Sequence, residues 1–157
     1  MLKFTTVLNG PVRKADDCLT LPHSLRERSR QRVRLASGEE AGLFLPRGTV
    51  LSDGDVIQAE DGTTCLVRAQ EEHLSLVRFD DRLAMARACF HLGNRHVPLQ
   101  IDGDSVCYGY DPVVDDMVRA MGHEVEEVIA PFHPEAGAYH MPQIRLNCEP
   151  VYVGNRQ

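Results

Sequence analysis

The sequence predicts an α+β fold in two parts, an all-β N-terminal domain followed by a domain with the element order β-α-β-β-α-β. Turn-forming residues interrupt the chain at short intervals from Met1 to about Gln70, and the hydrophobic period changes after Glu72. Two amphipathic helical segments then alternate with four short strand-like segments. The predicted division is residues 1–72 for the first domain, 73–132 for the second and 133–157 for a flexible tail.

Short strands are predicted throughout the first domain. Turn signals such as Asn9-Gly10-Pro11, Ser37-Gly38 and Asp61-Gly62 separate segments that are too short for helices, and several of these alternate apolar with polar residues. This pattern is typical of a small sandwich or barrel-like domain. The predicted strands cover residues 4–8, 18–21, 32–35, 43–45, 50–51, 56–58 and 65–67.

The second domain opens with a predicted strand at residues 73–79 and a helix at 81–92. The helix is expected to end at Gly93. Two strands follow, at residues 97–101 and 105–109, and the Asp102-Gly103-Asp104 link supplies the positive φ angles of a tight hairpin. The expected core face of the helix consists of Leu83, Ala86, Cys89 and Leu92 at helical spacing.

A second helix is predicted to begin at Asp111-Pro112, because Asp caps helix starts and Pro is accepted at the first helical position. Gly122 ends it, and a last strand covers residues 125–130. This element order is that of the ferredoxin-like split unit, a four-stranded antiparallel sheet with both helices on one face. The predicted core face is Val114, Met117, Val118 and Met121.

Composition excludes several classes of protein. The 157 residues are 43% hydrophobic and 25% charged, a globular balance, and the net charge of −6 argues against a nucleic-acid partner. No apolar run approaches the ~20 residues of a membrane helix, and the N-terminus lacks a signal-peptide pattern, so we expect a cytoplasmic protein with no membrane partner. The five cysteines contain no C-x-x-C pair, which favours reduced thiols over disulfides or a thiolate zinc site.

The stretch from His91 to His96 is the strongest candidate for chemistry. Imidazole is a common ligand for Ni²⁺, Cu²⁺ and Zn²⁺, and His96 lies between a helix end and a strand that contains Pro98, where a second subunit can dock. Two chains paired by a two-fold axis near this point would bring two His96 side chains to one metal. The alternative is ordinary helix capping by residues near a glycine.

Further candidate ligands each have a structural alternative. His91, in the last helical turn, suits the helix dipole, and Asp111 suits a helix cap, although a cap can also lend an oxygen to a metal. His140 in the tail, with His133 and Cys148, could close a site from a flexible arm. The other histidines have no partner at ligand spacing and are interpreted as structural: His23, His73 and His123.

Arginines alternate along residues 26–34 and would form a basic stripe on an extended segment: Arg26, Arg28, Arg30, Arg32 and Arg34. The stripe predicts either a docking surface for an acidic partner or a solvated face balanced by neighbouring glutamates. No nucleophile motif or phosphate-binding fingerprint is present. The acid pairs Asp80-Asp81 and Asp115-Asp116 lie at helix starts, where the dipole explains them. The sequence therefore predicts that the protein is not an enzyme.

These motifs together resemble those of the urease accessory protein UreE family, which are nickel metallochaperones. The resemblance extends over nearly the whole chain and rests on residues 32–35, 37–48, 53–56, 91–96, 98–99 and 124–132. It implies a β-rich N-terminal domain similar to the peptide-binding domains of DnaJ-type co-chaperones, followed by a ferredoxin-like domain through which two chains dimerise.

The resemblance also implies that His96 binds Ni²⁺ at the interface of a homodimer and passes it toward apo-urease with the accessory GTPase UreG. Several family members store metal in a histidine-rich tail, whereas this chain has no histidine after His140. Ligand type alone does not choose nickel, and Cu²⁺ or Zn²⁺ could bind the same imidazoles. Other readings are a generic Ni/Cu/Zn buffer or sensor, a nucleic-acid module and a metal-dependent hydrolase.

Overall fold

A computed structural model describes residues 1–136 of the chain. These residues form two compact units, Met1–Ala69 and Gln70–Glu135, and each contains its own hydrophobic core. The first unit is β-rich and the second combines a sheet with helices, which confirms the predicted α+β class. No helix in the described part of the chain is long and apolar enough to span a membrane.

The first unit contains one six-stranded sheet with the order β2-β6-β5-β1-β4-β3. The β1–β4 and β2–β6 pairs are parallel and the other pairs are antiparallel. Phe4, Leu43, Ile57 and Val67 are fully buried in its core. The elements are β1 (Leu2–Leu8), β2 (Asp17–Leu21), α1 (His23–Arg26), β3 (Arg30–Arg34), β4 (Glu40–Phe44), β5 (Val56–Ala59) and β6 (Thr64–Ala69).

Two expectations for this unit are wrong. Residues 50–51 form no strand, because the N–H of the buried Leu51 donates to the carbonyl of Arg26 at 2.9 Å and no ladder follows. Arg26, which the arginine stripe required to lie on an extended segment, is the last residue of the short helix α1. Arg26 is consequently turned inward, with Nη1 donating to the Leu51 carbonyl at 3.4 Å, and leaves the arginine stripe. Arg30, Arg32 and Arg34 do alternate on the exposed face of β3.

The second unit has the order β7 (Glu71–Arg78), α2 (Arg82–Asn94), β8 (Gln100–Ile101), β9 (Ser105–Gly109), α3 (Pro112–Ala120) and β10 (Glu126–Pro131). Its sheet has the strand order β10-β7-β9-β8, and each neighbouring pair is antiparallel. Both helices pack on one face of this sheet. The main core consists of Val77, Val106 and Tyr108 from the sheet, Ala88 and Leu92 from α2, and Val114 and Val118 from α3.

The β8–β9 hairpin differs from the prediction. Only residues 100–101 of the expected strand pair with β9, and Gly103 does not adopt a positive φ angle. Four residues connect the paired Ile101 and Val106, and the Asp102 N–H donates to the Ser105 carbonyl at 2.9 Å. Four-residue hairpin loops are most often built around a type I turn, so Gly103 does not need a positive φ angle.

The predicted core face of α2 is partly wrong. Leu92 is buried and Cys89 half-buried, whereas Leu83 and Ala86 are exposed and Ala88 is buried instead. Apolar residues lie around most of this helix, so its sequence contains two overlapping apolar stripes. Packing against the sheet selects one of them, and the other remains on the surface.

Candidate metal site

Helix α2 ends in a Schellman motif that places His96 in a left-handed backbone conformation. The His96 N–H donates to the Gly93 carbonyl at 3.0 Å, and the Val97 N–H donates to the Leu92 carbonyl at 3.2 Å. His96 has a φ of 58°, the only positive φ of a non-glycine residue within residues 1–136. Its side chain is exposed at the helix end.

Helix α3 ends in the same motif with glycine at the equivalent position. The Gly122 N–H donates to the Arg119 carbonyl at 2.9 Å, the His123 N–H donates to the Val118 carbonyl at 3.4 Å, and Gly122 has a φ of 93°. Glycine is the usual residue there because it has no Cβ to clash in the left-handed region. His96 therefore occupies a position at which the second helix of the same unit has glycine.

The prediction that α2 ends at Gly93 is wrong by one residue. It also took Gly93 as the residue at which the chain leaves the helix, and that residue is His96. The helix continues through Gly93 to Asn94, with Arg95 as its C-cap. Leu92 and Val97 pack in the same hydrophobic cluster, which is the apolar contact that accompanies a Schellman motif. Packing of the half-buried Val97 against this cluster thus fixes where the chain turns, and the residue before it takes the left-handed conformation.

The other two candidate ligands in the body of the protein lie at helix ends. His91 is exposed in the last turn of α2, where its ring meets that of Phe90 edge-on at 5.4 Å. Asp111 caps α3, as predicted: its Oδ1 accepts from the N–H of Val113 at 2.9 Å and of Val114 at 3.4 Å. Both bonds use Oδ1, so Oδ2 is the oxygen available to a metal.

The tail candidates are described only in part. His133 is exposed, and its backbone N–H donates to the Gln100 side-chain carbonyl oxygen at 3.0 Å. His140 and Cys148 lie outside the described residues. Within residues 1–136, no three His, Cys, Asp or Glu side chains come close enough together to hold a metal ion. The structure of one chain therefore does not bring His91, His96 and Asp111 into one site.

Three cysteine thiols in the described part of the chain, those of Cys65, Cys89 and Cys107, are poor metal ligands. Burial raises the pKa of the Cys65 thiol to about 12, and burial also raises the pKa of Cys89 and of Cys107. Thiolate is the form that binds metals, and a raised pKa keeps these groups protonated near neutral pH. Cys18, Cys65, Cys89 and Cys107 are all free.

The histidines interpreted as structural do have local partners. His23 pairs with Glu27 at 3.5 Å, and His73 contacts Glu127 at 3.1 Å while its ring stacks on Tyr110 at 4.2 Å. The His123 ring meets Phe79 edge-on at 4.8 Å.

A buried carboxylate in α3 was missed by the sequence reasoning. Asp115 is 1% exposed and accepts a hydrogen bond from the Tyr108 hydroxyl at 2.8 Å. Burial and this bond raise the pKa of Tyr108, so its hydroxyl remains a donor. The signal was present, because Asp115 stands three residues before the core residue Val118 and shares its helix face.

Two large apolar side chains of α2 lie on the surface. Leu83 was expected in the core, and the sequence pattern predicted no position for Phe90. Leu83 is 55% exposed and Phe90 is 68% exposed. They are seven residues apart, which places them on one face of the helix whose C-terminal end carries His96. We term this surface the α2 stripe.

Comparison with known proteins gives the relatives of this chain. Residues 5–70 match the family model of the UreE urease accessory protein N-terminal domain, and residues 72–146 match that of the UreE C-terminal domain. The urease accessory protein UreE of Alkalilimnicola ehrlichii is 54% identical over 125 residues, which are 80% of this chain and 77% of that protein. The UreE protein of Vibrio parahaemolyticus is 47% identical over 145 residues, 88% of this chain and 91% of that protein.

A third relative is the urease accessory protein UreE of Proteus mirabilis, 49% identical over 122 residues, which are 78% of this chain and 74% of that protein. Both domain models match in the expected order, and together they span most of the sequence. Accessory proteins of this family are not enzymes, which confirms the prediction from the absence of catalytic motifs. The chain belongs to the UreE family of urease accessory proteins.

Proposed function

We propose that this protein is a nickel metallochaperone for urease maturation, in which two chains hold Ni²⁺ between their His96 side chains and deliver it to apo-urease with the GTPase UreG. Family membership supports the role in urease maturation. The metal site is inferred from the position of His96. Its imidazole is exposed at a helix end, and its backbone has a conformation that favours glycine. Residues in such strained conformations concentrate at functional sites.

The α2 stripe supports a homodimer. Leu83 and Phe90 are 55% and 68% exposed on one helix face, and covering the surface that remains exposed would stabilise a complex by roughly 1–2 kcal/mol for each side chain. A two-fold axis uses the same surface on both chains, so each apolar contact counts twice. Because His96 follows the same helix, pairing near its C-terminal end would bring two imidazoles together.

A site of this kind has the lability that delivery needs. Two neutral imidazoles, completed by waters or by ligands from His91, Asp111 or His140, bind divalent metal without enclosing it. A closed thiolate site would hold the metal more tightly. Cu²⁺ and Zn²⁺ would also bind such ligands, so selectivity for nickel must arise from supply and from partner recognition.

We further infer that residues 73–132 form a ferredoxin-like domain, preceded by a partner-binding β domain at 1–72 and followed by a tail at 133–157. The order β-α-β-β-α-β and the antiparallel sheet β10-β7-β9-β8 support this inference. We place the protein in the cytoplasm, where the four free cysteines of the described chain would stay reduced.

Calorimetric titration of Ni²⁺ into the wild-type protein and His96→Ala tests the proposal. We expect about half a nickel per chain for the wild type, as a two-fold site requires, and loss of this binding in the variant. His23→Ala is a matched control, since His23 lies in the other unit. Unchanged stoichiometry in His96→Ala would contradict the site. It would favour the alternative, a generic metal buffer or sensor, as would failure of the nickel-loaded protein to bind UreG or apo-urease.

A further inference from the structure

A basic surface on the first unit has no role in the proposed nickel site. It consists of four exposed arginines and one exposed aromatic ring, and we term it the Arg-Phe patch: Arg28, Arg30, Arg32, Arg47 and Phe44. The chain as a whole carries a net charge of −6. A concentration of positive charge on an acidic protein gives this one surface a field opposite to that of the whole molecule.

The cross-strand register explains why this charge is not neutralised. Arg34 lies opposite Glu40 and forms an ion pair with it at 3.2 Å. Arg30 lies opposite Phe44 and Arg32 opposite Gly42, and neither residue offers a carboxylate. Within residues 1–136, no Asp or Glu forms an ion pair with Arg30 or Arg32.

Phe44 provides an apolar surface among these charges. It is 42% exposed, and a Cβ added to Gly42 would stand 2.6 Å from a carbon of its ring. Glycine at position 42 therefore allows the ring to lie over β4. Directly opposed residues of neighbouring strands share one face of the sheet, so Phe44 and Arg30 are presented side by side.

An open groove of about 590 Å³ adjoins the patch and is lined by Glu27, Arg28, Ser29, Arg30 and Arg47. Glu27 is its one acidic residue, against three arginines. The groove is therefore basic, and its volume admits several side chains of a bound segment.

The backbone of β3 favours an extended occupant. β3 is an edge strand, and β4 is its partner. The Leu45 N–H donates to the Ser29 carbonyl and the Leu35 N–H to the Glu39 carbonyl, both at 2.9 Å. By the alternation of an antiparallel ladder, the backbone groups of Arg30 and Arg32 point away from β4. An extended segment can meet both these groups and the arginine side chains.

We propose that the Arg-Phe patch docks an extended acidic segment of a partner protein, with alternate carboxylates on Arg30 and Arg32 and an apolar side chain on Phe44. Arginine forms bidentate pairs with carboxylates and is suited to this contact. A second copy of this chain is disfavoured, because two identical patches would oppose arginine to arginine. A single exposed ring does not provide the series of stacking aromatics that single-stranded nucleic acid uses.

Fluorescence anisotropy with a labelled 12-residue peptide tests the proposal. The peptide is two repeats of Glu-Ser-Glu-Ser-Leu-Ser, which present Glu and Leu on one face of an extended segment, and we term it the Glu-Leu peptide. A Glu-Ser peptide replaces its Leu with Ser, and a Lys-Leu peptide replaces its Glu with Lys. We expect the full-length protein to bind this peptide, and affinity to fall at least about tenfold in Arg30→Glu/Arg32→Glu, since two attractions become repulsions. The matched control is Arg13→Glu/Lys14→Glu, which makes the same charge change at exposed positions before β2, the strand at the opposite edge of the sheet from β3, and should alter affinity by less than about threefold. Phe44→Ala should weaken binding of the Glu-Leu peptide but not of a Glu-Ser peptide.

If Arg30→Glu/Arg32→Glu does not fold, Arg28→Ser/Arg47→Ser takes its place in the test, because Arg28 and Arg47 lie outside the strands. This variant should also weaken binding of the acidic peptide. Equal losses in both charge-reversal variants, or equal binding of a Lys-Leu peptide or an oligonucleotide, would overturn the proposal. So would the absence of Glu-Leu binding to the wild type. These outcomes do not depend on nickel.

Discussion

His96 has one observed role and one proposed role, and these make different demands on the residue. Its backbone ends a helix in the left-handed region, where glycine fits best, and its side chain offers the imidazole that the proposed nickel site needs. A non-glycine residue in this region costs about 1–2 kcal/mol. The Val97 and Leu92 packing holds the conformation in place. The strain and the ligand role can be separated by substitution.

His96→Gly should be about 1 kcal/mol more stable than His96→Ala, because glycine removes the left-handed strain and alanine does not. Both variants should lose the interfacial nickel. Urea unfolding measures the stability difference. Gly122→Ala is the reciprocal control at the equivalent position of α3 and should lose a similar amount of stability. A Cβ at position 122 would meet no atom within 4 Å, so the cost is conformational. A His96→Ala protein as stable as His96→Gly would show that position 96 is not strained.

At the scale of the element, the two helices of the second unit begin alike. Asp81 accepts from the N–H of Leu83 and Ala84, and Asp111 accepts from those of Val113 and Val114. The sequence indicated the cap at Asp111 correctly, because capping depends on residues next to one another in the chain. A ligand role for Asp111 depends on what lies near it in a dimer, and local sequence contains no such information.

Asp111→Asn and Asp111→Ala separate capping from metal binding. Asparagine caps as well as aspartate, so Asp111→Asn should keep its stability within about 0.5 kcal/mol, whereas Asp111→Ala should lose about 1 kcal/mol. If Asp111 also binds nickel, as we propose, Asp111→Asn weakens the binding. Asp81→Asn is the matched control and should leave nickel affinity unchanged. Chemical denaturation and nickel calorimetry are the measurements, and identical nickel binding in the two Asn variants would restrict Asp111 to its cap.

At the scale of the whole molecule, the question is how one chain could complete the proposed nickel site. Within residues 1–136, no cluster of three metal-binding side chains exists, and the α2 stripe remains uncovered. A second copy of the chain would supply further metal ligands and cover the α2 stripe through one symmetric interface.

Phe90→Glu should convert the expected dimer to a monomer, since the substitution places a charge twice in the symmetric interface and should raise the dimer Kd at least about a hundredfold. Sedimentation velocity measures the change, and nickel binding at half a metal per chain should be lost with it. Val50→Glu is the control, because Val50 is a similarly exposed apolar residue of the first unit, at 46%. A dimeric Phe90→Glu protein would place the interface elsewhere.

The sequence by itself determined the α+β class, most elements and the cap at Asp111, because periodicity, capping and turn chemistry act over a few residues. It also indicated the stretch containing His96 as a candidate site, which stays a prediction. Tertiary structure decided which of the two apolar stripes of α2 is buried and that His96, not Gly93, takes the left-handed position. It also turned Arg26 inward and placed Arg30 and Arg32 opposite residues without charge. The physical reason is the same in each case: these outcomes depend on contacts between residues far apart in the chain, and local patterns leave more than one arrangement open.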